Sequence, residues 1–509
     1  MPTIIRMHVR RETLLRTAIT AALFSIAMLI VAARCSNLDA ATNTSSERPN
    51  IVLFYVDDFG QRDLACYGST LYETPHMDRL AASGMRFTNA YSAYPRCVPS
   101  RQGLLSGKYP NRIVAEMDRD GDRAHSLPLS EITFGEALRE HGYQTCYIGK
   151  WHLGKEGGGP GDQGFDTVIH SGSAGATGSH FAPFSVEKGH FVLNPVEGKP
   201  GDYLTDRLTD EAVAYIDANR SDPFLLVLAH YAVHTPIEAP EALAKKYQKK
   251  LRQAGLPVGG KRDDPDMIRD RQGDVKTVQN NPTYAAMVEK TDASLGRILD
   301  SLRSHNLDEK TIVIVTSDHG GLSTRGLDNR RALATSNAPL RQGKGSIFEG
   351  GTRVPLIVRW PNVVEPGSVC VARVTGTDHY PTMLEMANAP LRPQQHVDGQ
   401  SYAPALRGQS YERGPMFWYK WQARPDSTGD TRAISYIDGD YKIVQWLDEN
   451  LVELFNLQND EGEQTNLASK MPERTNAMLK TLLEMERSQG NLRAKGRRAL
   501  DKRLERATK

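Results

Sequence analysis

Carboxylate, amine and imidazole side chains follow directly after four apolar runs of this sequence. The groups are Asp57 with Asp58, Lys150 with His152, His230 with His234, and Asp318 with His319. Hard divalent cations prefer carboxylate oxygens, and histidine carries protons near neutral pH. One acidic pair after a strand is usually a solvated cap, but here a second acid and a histidine end a second strand. The spacing therefore predicts a divalent-cation site with proton-carrying groups beside it.

A fifth candidate is Cys97, which lies in the run CVPSRQGLLSG ahead of Pro99 and Arg101. A thiol is a competent nucleophile, although a buried free thiol is the ordinary interpretation of a lone cysteine. The cysteines are few for an exported chain of this length, and no C-x-x-C pair indicates a zinc site. We assign chemistry to Cys97 and packing to Cys146, which lies within an apolar run. The cysteines are at positions 35, 66, 97, 146 and 370.

The apolar runs before these groups predict parallel strands that are buried on both faces. They are continuous and rich in β-branched residues, as strands covered by helices on both sides are. Helical stretches alternate with them, and that order predicts an α/β fold. The predicted strands are Ile51–Val56, Thr145–Ile148, Phe224–Ala229 and Thr311–Thr316; the predicted helices are Pro75–Ser83, Thr133–His141, Thr205–Ala218 and Pro282–His305.

The carboxyl ends of parallel strands meet at one edge of a sheet, where ligands of open α/β folds bind. We therefore expect the four polar groups to converge on one crevice. Residues 154–200, rich in glycine and serine, are predicted as loops that border it. No G-x-G-x-x-G or Gly-Lys-Ser/Thr pattern follows a strand there, so these glycines do not indicate a phosphate-binding loop. Residues 255–281 are predicted to be irregular and exposed.

The pattern changes near residue 400, where short antiparallel strands and one helix indicate a smaller α+β domain. Met416–Tyr419, Ala433–Ile437, Tyr441–Trp446 and Leu451–Phe455 are the predicted strands, and Pro472–Arg487 is the predicted helix. Asp438-Gly439-Asp440 is typical of a hairpin turn. The predicted organisation is a signal peptide (1–33), a linker (34–47), a catalytic domain (48–400), a C-terminal α+β domain (401–490) and a basic tail (491–509).

The two ends of the chain determine its net charge of +2. The segment before residue 35 has five arginines and one glutamate, and the tail from Asn491 has eight basic and two acidic residues. The body between them is therefore acidic, near −8, which excludes a basic nucleic-acid footprint. Arginines ahead of the apolar run Thr17–Ala33 are typical of a secretory signal, and the run is short for a membrane span. We expect a periplasmic or secreted protein without a stable membrane span.

Two other forms of export remain open. Cys35 could carry a lipid anchor, although Arg34 stands where a lipobox needs a small residue. An uncleaved N-terminal anchor is the second alternative.

The residues around Cys97 resemble the signature of formylglycine-dependent sulfatases of the alkaline phosphatase superfamily. The resemblance extends over nearly the whole chain after the signal, in the family's order. It includes Val56-Asp57-Asp58, Gly149-Lys150-Trp151-His152, Ser317-Asp318-His319-Gly320, Gly343-Lys344, the run from Glu349 to Pro355 and Leu454-Phe455-Asn456-Leu457. It implies an alkaline-phosphatase-like fold: a large, mostly parallel sheet flanked by helices, with a smaller C-terminal α+β domain that contains an antiparallel sheet.

The resemblance implies that a formylglycine-generating maturation enzyme oxidises Cys97 to formylglycine. The hydrated aldehyde is then the nucleophile, and its second hydroxyl lets sulfate leave. Arg101 should stabilise this diol, and Asp318 should polarise the attacking hydroxyl. Lys150 and Lys344 should bind sulfate oxygens, because neutralising a transferring group is usually a large catalytic contribution. His152 should take the proton that expels sulfate, and His234 with Lys344 should protonate the leaving alcohol.

The same resemblance implies a calcium ion held by Asp57, Asp58, Cys97, Asp318 and His319. His319 stands where many relatives have asparagine, and its nitrogen is softer than calcium favours, so Mg²⁺ stays open. For His230 we expect a structural role, and for Trp151 a packing role. Substrate specificity is expected from residues 171–184 and 324–330.

The predicted function is hydrolysis of sulfate esters, with a sulfated small molecule or glycan as the substrate. Two alternatives remain. One is a phosphodiesterase or phosphonate hydrolase of the same superfamily, which could use the same modified cysteine and metal. The other is a sulfatase-like binding protein whose cysteine stays unmodified.

Overall fold

The computed structural model describes residues 48–117, 126–154, 158–186, 188–271, 273–327 and 329–489. The predicted signal peptide (1–33), linker (34–47) and basic tail (491–509) lie outside these ranges. From Pro49 onward the chain forms one compact unit, and the boundary at residue 400 stays a prediction. None of the helices in the described ranges has the length and apolar character needed to cross a membrane.

The strands alternate with helices along the first two thirds of the chain. The strands are β1 Asn50–Val56, β2 Met85–Tyr91, β3 Gln144–Gly149, β4 Thr167–Ile169, β5 Phe224–Ala229, β6 Met267–Asp270, β7 Gly273–Lys276, β8 Thr311–Ser317, β9 Thr324–Gly326, β10 Leu356–Arg359, β11 Ser368–Thr375, β12 Met416–Lys420, β13 Ala433–Asp438, β14 Tyr441–Trp446 and β15 Leu451–Asn456.

The helices are α1 Pro75–Ser83, α2 Cys97–Ser106, α3 Pro110–Met117, α4 Phe134–Glu140, α5 Leu204–Ala218, α6 Glu241–Gln253, α7 Pro282–Ser304, α8 Glu349–Thr352, α9 His379–Met386, α10 Ala403–Leu406, α11 Pro425–Thr428 and α12 Pro472–Ser488. Short 3₁₀ turns occupy Gln61–Asp63, Ala65–Tyr67, Pro160–Gln163, Asp308–Lys310 and Gly376–Asp378. Helix ends follow local chemistry. Thr133 and Glu136 form a capping box at α4, and the Asn281 side chain accepts from the first amides of α7.

The large sheet has eight strands in the order β11-β2-β10-β8-β1-β5-β3-β4. The four strands predicted from the apolar runs, β8, β1, β5 and β3, are neighbours and run parallel. Only β10 is antiparallel to its neighbours among the described strands of this sheet. The sheet is therefore mostly parallel, and the predicted α/β class is confirmed.

Helices cover both faces of this sheet. Successive residues of a strand point to opposite sides, so each central strand contributes side chains to two cores. Val52 and Phe54 of β1 pack in one core with α5, α6 and α7. Ile51 and Leu53 pack in the other core with α2, α4 and α9. The predicted strands are fully buried for this reason, and their carboxyl ends are fixed along one edge.

The C-terminal part forms a four-stranded antiparallel sheet in the order β12-β13-β14-β15, with a hairpin turn at Gly439, whose φ is 54°. One face packs on α12, and the other packs on Tyr91 and Phe348 of the larger part.

The prediction for residues 255–281 was wrong: β6 and β7 lie there and join β9 in a three-stranded sheet. Lys276 stabilises this segment by pairing with Asp264 and Asp266. Such ion pairs do not produce the alternation of apolar and polar residues from which a strand is predicted.

Candidate active site

Asp57 and Asp58 lie at the end of β1, at the centre of the large sheet. The Asp57 amide donates to Ala232 O at 3.1 Å, and the Asp58 amide donates to Asp318 Oδ1 at 3.2 Å. Asp58 has a φ of 59°, which is uncommon for a residue other than glycine. The turn directs both carboxylates into the protein, where each is almost fully buried.

Asp318 and His319 end β8, which pairs with β1 in register. The Nδ1–H of His319 donates to Gly320 O at 3.0 Å, so Nε2 is free to act as a ligand. This Nε2 lies 3.4 Å from Asp58 Oδ1 and 3.6 Å from Asp318 Oδ1. Burial and the charge of Asp57 raise the pKa of Asp318 to about 7. The two strand ends therefore form one polar centre.

Cys97 is the first residue of α2, and its side chain is buried beside this centre. Its Sγ lies 3.2 Å from His319 Nε2. Burial opposes the thiolate, but the charges of Lys150 and Lys344 hold the pKa of the Cys97 thiol well below its ordinary value. One turn along α2, Arg101 donates to Asp318 Oδ2 from Nε and Nη2, at 3.2 and 3.0 Å. The helix thus places the cysteine in the site and its arginine against Asp318.

Four of the predicted metal ligands meet at one point. One candidate ligand atom from each of Asp57, Asp58, Cys97 and His319 lies within 4.8 Å of the others. The Oδ1 atom of Asp57 is buried and has no hydrogen-bond partner, which is costly unless a cation completes its contacts. These residues therefore fit a divalent cation. Asp318 lies next to them, with Oδ2 already engaged by Arg101.

Lys150 and Lys344 approach the two aspartates from different loops. Lys150 pairs with Asp57 Oδ2, and Lys344 Nζ lies 2.6 Å from Asp58 Oδ1. Lys150 follows Gly149, which has a φ of 93° and whose added Cβ would lie 2.1 Å from Ala229 O. Glycine is required there, because the backbone of β3 approaches β5 too closely for a side chain. Lys150 is thereby positioned by a backbone turn at the end of β3, whereas Lys344 lies in the loop between β9 and α8.

His152 and His234 lie on the wall of the same pocket. His152 has a φ of 61° and lines the same pocket as Cys97. Burial lowers the pKa of His152 to about 4, so its ring is neutral at pH 7. The loop glycine Gly175 packs on this ring, and a Cβ there would lie 2.2 Å from Nε2. His152 is therefore held by a loop that the sequence predicted to border the site.

The ring of His234 is oriented by its own backbone. Nδ1 lies 2.9 Å from Thr235 O, so Nδ1 carries the hydrogen and Nε2 faces Asp58 Oδ2 at 3.9 Å. Burial and the positive charge of Lys344 lower the pKa of His234. His230 lies outside the pocket, with Nε2 2.9 Å from Ser294 Oγ. Trp151 is buried and packs edge to face on Tyr147.

The pocket has a volume of about 160 Å³. It is lined by three residues that the sequence patterns did not indicate and by four predicted site residues with two neighbours of Cys97. The predicted residues are Cys97, His152, His234 and Lys344, and the neighbours are Val98 and Pro99. The three that the patterns did not indicate are Arg96, Gln422 and Arg424. Arg96 directly precedes Cys97 and could have been suspected for that reason. The other two come from a loop of the C-terminal part, and no local pattern marks them.

Comparisons with known proteins identify the family. The sulfatase family model matches residues 49–389, and a model of the N-sulphoglucosamine sulphohydrolase C-terminal region matches residues 343–489. This chain belongs to the sulfatase family and is a sulfuric ester hydrolase. Proteins of this family generally use a metal ion and formylglycine.

Similar proteins include sulfatases of several origins. A sulfatase of Formosa agariphila is 31% identical over 84% of this chain and 86% of its own length. The N-acetylgalactosamine-6-O-sulfatase of Bacteroides thetaiotaomicron is 28% identical over 84% and 91%. The steryl-sulfatase of Mus musculus is 30% identical over 73% and 67%.

Solved structures match the fold. The structure of Ps i-CgsB in complex with k-i-k-neocarrahexaose superposes with a TM-score of 0.70 and 27% identity, over 88% of this chain and 94% of that one. The phosphonate monoester hydrolase of Agrobacterium radiobacter has the same fold, with a TM-score of 0.61 and 17% identity over 87% and 96%.

Proposed function

We propose that this sulfatase hydrolyses sulfate esters of carbohydrates at the Cys97 pocket. The observation that carries the proposal is the position of Cys97 Sγ, buried in the pocket and 3.2 Å from His319 Nε2 beside the ligand group. The relatives differ in substrate, since steryl-sulfatases and an N-acetylgalactosamine-6-O-sulfatase are both among them. The walls here carry Arg96, Gln422 and Arg424, which suit a hydroxylated sugar better than an apolar steroid.

The nucleophile that we propose is formylglycine, made from Cys97 by a maturation enzyme that reads Pro99 and Arg101. The hydrated aldehyde supplies a hydroxyl that attacks sulfur and a second hydroxyl that lets sulfate leave. The residues around position 97 suit this group. His152, neutral at pH 7, can accept a proton there, and Asp318 is held by Arg101. Arg101 contacts Asp318 directly, so we propose that it acts by orienting that carboxylate.

The cation that we propose is Ca²⁺, with Mg²⁺ as the alternative. Asp57, Asp58 and His319 would hold it beside residue 97, with Asp318 as a further oxygen donor. When bound, the ion supplies Lewis acidity toward a sulfate oxygen. Lys150 and Lys344 would neutralise the remaining charge of the sulfate, as positioned cations do for transferring groups. We also propose that the protein is exported to the periplasm or secreted, on the basis of residues 1–33.

Two other functions are weaker alternatives. A phosphodiesterase or phosphonate hydrolase could use the same residues, and the matching phosphonate monoester hydrolase shares the fold. An inactive binding protein is disfavoured, because each position that the mechanism requires is filled by a residue that can perform the role, including His319 in place of the asparagine of many relatives. Turnover of an aryl sulfate compared with an aryl phosphate diester separates the first alternative from sulfate hydrolysis.

The first experiment tests the nucleophile. Protein produced with a maturation enzyme is digested, and the peptide that contains residue 97 is measured by mass spectrometry together with sulfate release. We expect the shift from thiol to aldehyde, and we expect Cys97→Ala to abolish turnover while thermal unfolding is unchanged. Full activity in protein that contains only the unmodified thiol would refute the mechanism.

The second experiment tests the proton donor. His234→Ala should slow a sugar sulfate by about 10²–10⁴-fold, the usual range for general acid catalysis, and an aryl sulfate far less. A phenolate leaves with little help, whereas a sugar alkoxide needs a proton. His152→Ala is the matched control, because it should slow both substrates equally through the second step. Equal losses for His234→Ala on both substrates would assign His234 to sulfate positioning and move the search for the acid to Lys344 or His230.

A further inference from the structure

One wall of the pocket is formed by the segment that follows β12. Gln422 and Arg424 of this segment line the pocket together with Arg96. The short helix Pro425–Thr428 and Gly429, with a φ of 67°, turn the chain back toward Arg424. The segment after β12 therefore brings polar side chains to the pocket that Cys97 also lines.

The cations around the pocket differ in their partners. Lys150, Lys344 and Arg101 each pair with an aspartate of the active site. Asp430 is shared by two buried cations, Arg96 and Lys420. The Arg424 guanidinium has no hydrogen bond or ion pair with any residue in the described ranges. Positive charge is thus in excess on this wall, because Asp430 balances only one of its two cations and Arg424 adds a further positive charge.

The backbone of Arg424 is held by hydrogen bonds, whereas its guanidinium makes none with the described residues. Its amide donates to Asp430 O at 3.1 Å and to Asp430 Oδ1 at 3.0 Å. Asp430 also accepts from Thr428 Oγ1, which ties the turn together. Arg424 is exposed, so its guanidinium is open to solvent at a residue that lines the pocket. Because the backbone is already fixed, only the side chain has to be ordered when an anion arrives.

Arg96 adds a second, independent observation. Its side chain is 7% exposed, and it lines the pocket. Its Nη2 is engaged by Thr428 and Asp430, but its Nε is buried with no hydrogen-bond partner in the described part of the chain. A buried guanidinium that is only partly engaged retains positive potential, and in a low-dielectric wall this potential acts strongly on a nearby anion.

We propose that Arg424, with Arg96 and Gln422 beside it, binds a second anionic substituent on the sugar whose sulfate ester lies at Cys97. The substituent is a further sulfate or a carboxylate, since a guanidinium recognises both through paired hydrogen bonds. The preferred substrates are therefore multiply charged saccharides rather than monosulfated ones. This inference rests on the proposed function, because it assumes that a sulfate ester occupies the pocket.

Binding to the Cys97→Ala protein tests the inference without turnover. Matched pairs of sugars are titrated by calorimetry: N-acetylgalactosamine 6-sulfate against its 4,6-disulfate, and glucosamine 6-sulfate against a disaccharide that adds a uronic acid carboxylate. We expect at least one doubly charged member to bind about 10–100-fold more tightly, the usual effect of a hydrogen-bonded charge. Arg424→Gln, made in the same background, should remove this preference, and Arg424→Lys should keep part of it.

The control is Arg432→Gln, which removes an exposed arginine paired with Asp448 on the same small sheet and should leave the preference unchanged. Preference in the disulfated pair alone assigns the subsite to sulfate, and preference in the uronic acid pair alone assigns it to carboxylate. Equal affinity within every pair, or a preference that survives Arg424→Gln, overturns the inference. Sulfate release by the wild-type protein is measured in parallel, because its absence from every substrate would instead overturn the proposed function.

Discussion

Two of the buried charge groups in the described part of this protein differ in how closely cations approach their carboxylate oxygens. In the active site, Asp57 Oδ1 has no hydrogen-bond partner, and Asp58 carries a strained φ of 59°. The second group, the inter-sheet cluster, consists of Glu349, Lys442 and Glu463 and lies between the large sheet and the C-terminal sheet. Lys442 Nζ is 2.9 Å from an oxygen of each glutamate.

The inter-sheet cluster is held by further contacts. Tyr91 OH donates to Glu349 Oε2 at 2.8 Å, and the Glu349 amide donates to Glu463 Oε2 at 2.6 Å. Both oxygens of Glu349 are therefore occupied by protein donors. Arg101 Nη2 approaches Asp57 Oδ1 only to 3.8 Å, whereas Lys442 lies 2.9 Å from both glutamates. An oxygen without a close cation leaves room for a ligand ion, and a cation in direct contact with two carboxylates holds the elements that carry them together. The comparison predicts that changes in the active site alter metal binding and activity, and that changes in the inter-sheet cluster alter stability.

The largest effect is expected from Asp57→Asn, which removes the charge of the carboxylate whose oxygen lacks a donor. The variant should bind no calcium, and turnover should fall on the order of 10³-fold or more, because the Lewis acid is lost. Calcium should raise the unfolding temperature of the wild-type protein by mass action and leave that of Asp57→Asn unchanged. Metal content is measured by elemental analysis, and unfolding is followed by calorimetry.

Glu463→Gln is the matched control, because it changes a buried carboxylate of the other cluster and should keep the calcium response.

At the ligand that departs from the family pattern, His319→Asn should retain more activity than His319→Ala, since asparagine restores an oxygen donor. Normal turnover by chelator-stripped wild-type protein would show that the active-site cluster holds no functional cation.

The next largest effect is expected from Lys442→Met in the inter-sheet cluster. Removing this cation leaves two buried glutamates without their shared partner, and breaking a buried ion pair in this way costs about 3–5 kcal/mol. The free energy of unfolding, measured by urea titration, should fall by that amount. Turnover per folded molecule should be retained, because Lys442 does not line the pocket.

Two further variants sharpen this result. Arg432→Ala breaks an exposed pair with Asp448 and should change stability by less than about 1 kcal/mol. Adding Glu349→Gln and Glu463→Gln to Lys442→Met should recover much of the loss, since no uncompensated charge then remains. A Lys442→Met protein with wild-type stability would mean that the cluster does not hold the two sheets together.

The central strands and the convergence of the polar groups at their ends could be predicted because the signals are local. β5 occupies the predicted Phe224–Ala229 run, and α1 occupies the predicted Pro75–Ser83 run. The polar groups at the ends of β1, β3, β5 and β8 converge except for His230, which turns to Ser294. A buried parallel strand is recognisable from its own residues, and its neighbours determine where its end lies.

The remaining features depend on contacts between distant residues. β10 is a four-residue strand that joins the sheet only by pairing with β2 and β8, and so short a run has no distinctive period. Arg424 lines the same pocket as Cys97 although more than three hundred residues of sequence separate them, and the turn that places it is held by Asp430. The inter-sheet cluster likewise joins residues of α8, β14 and a loop. Such groups acquire a role only once the tertiary structure brings them together.

The smallest effect concerns the protonation of Glu463. Burial raises the pKa of Glu463 to about 7, and the charge of Glu349 adds to this although Lys442 opposes it. The unfolded chain loses this proton near pH 4.5, so between these values the folded protein binds a proton that the unfolded chain does not. Stability from this group is therefore full below pH 4.5 and is lost as the pH rises through about 7.

Glu463→Gln should remove this dependence, because glutamine resembles the protonated carboxyl group and does not titrate. The wild-type protein should lose about 1–3 kcal/mol more than the variant between pH 5 and pH 8, since one pKa unit corresponds to about 1.4 kcal/mol. Glu349, whose pKa is lowered despite its burial by Lys442 and Arg353, titrates below this window and does not mask the effect. Urea titrations of both proteins at pH 5, 6, 7 and 8 measure the difference. If the free energies of unfolding of the two proteins change with pH in the same way, Glu463 is ionised in the folded protein from pH 5 to pH 8. Lys442 would then have to neutralise both glutamates together.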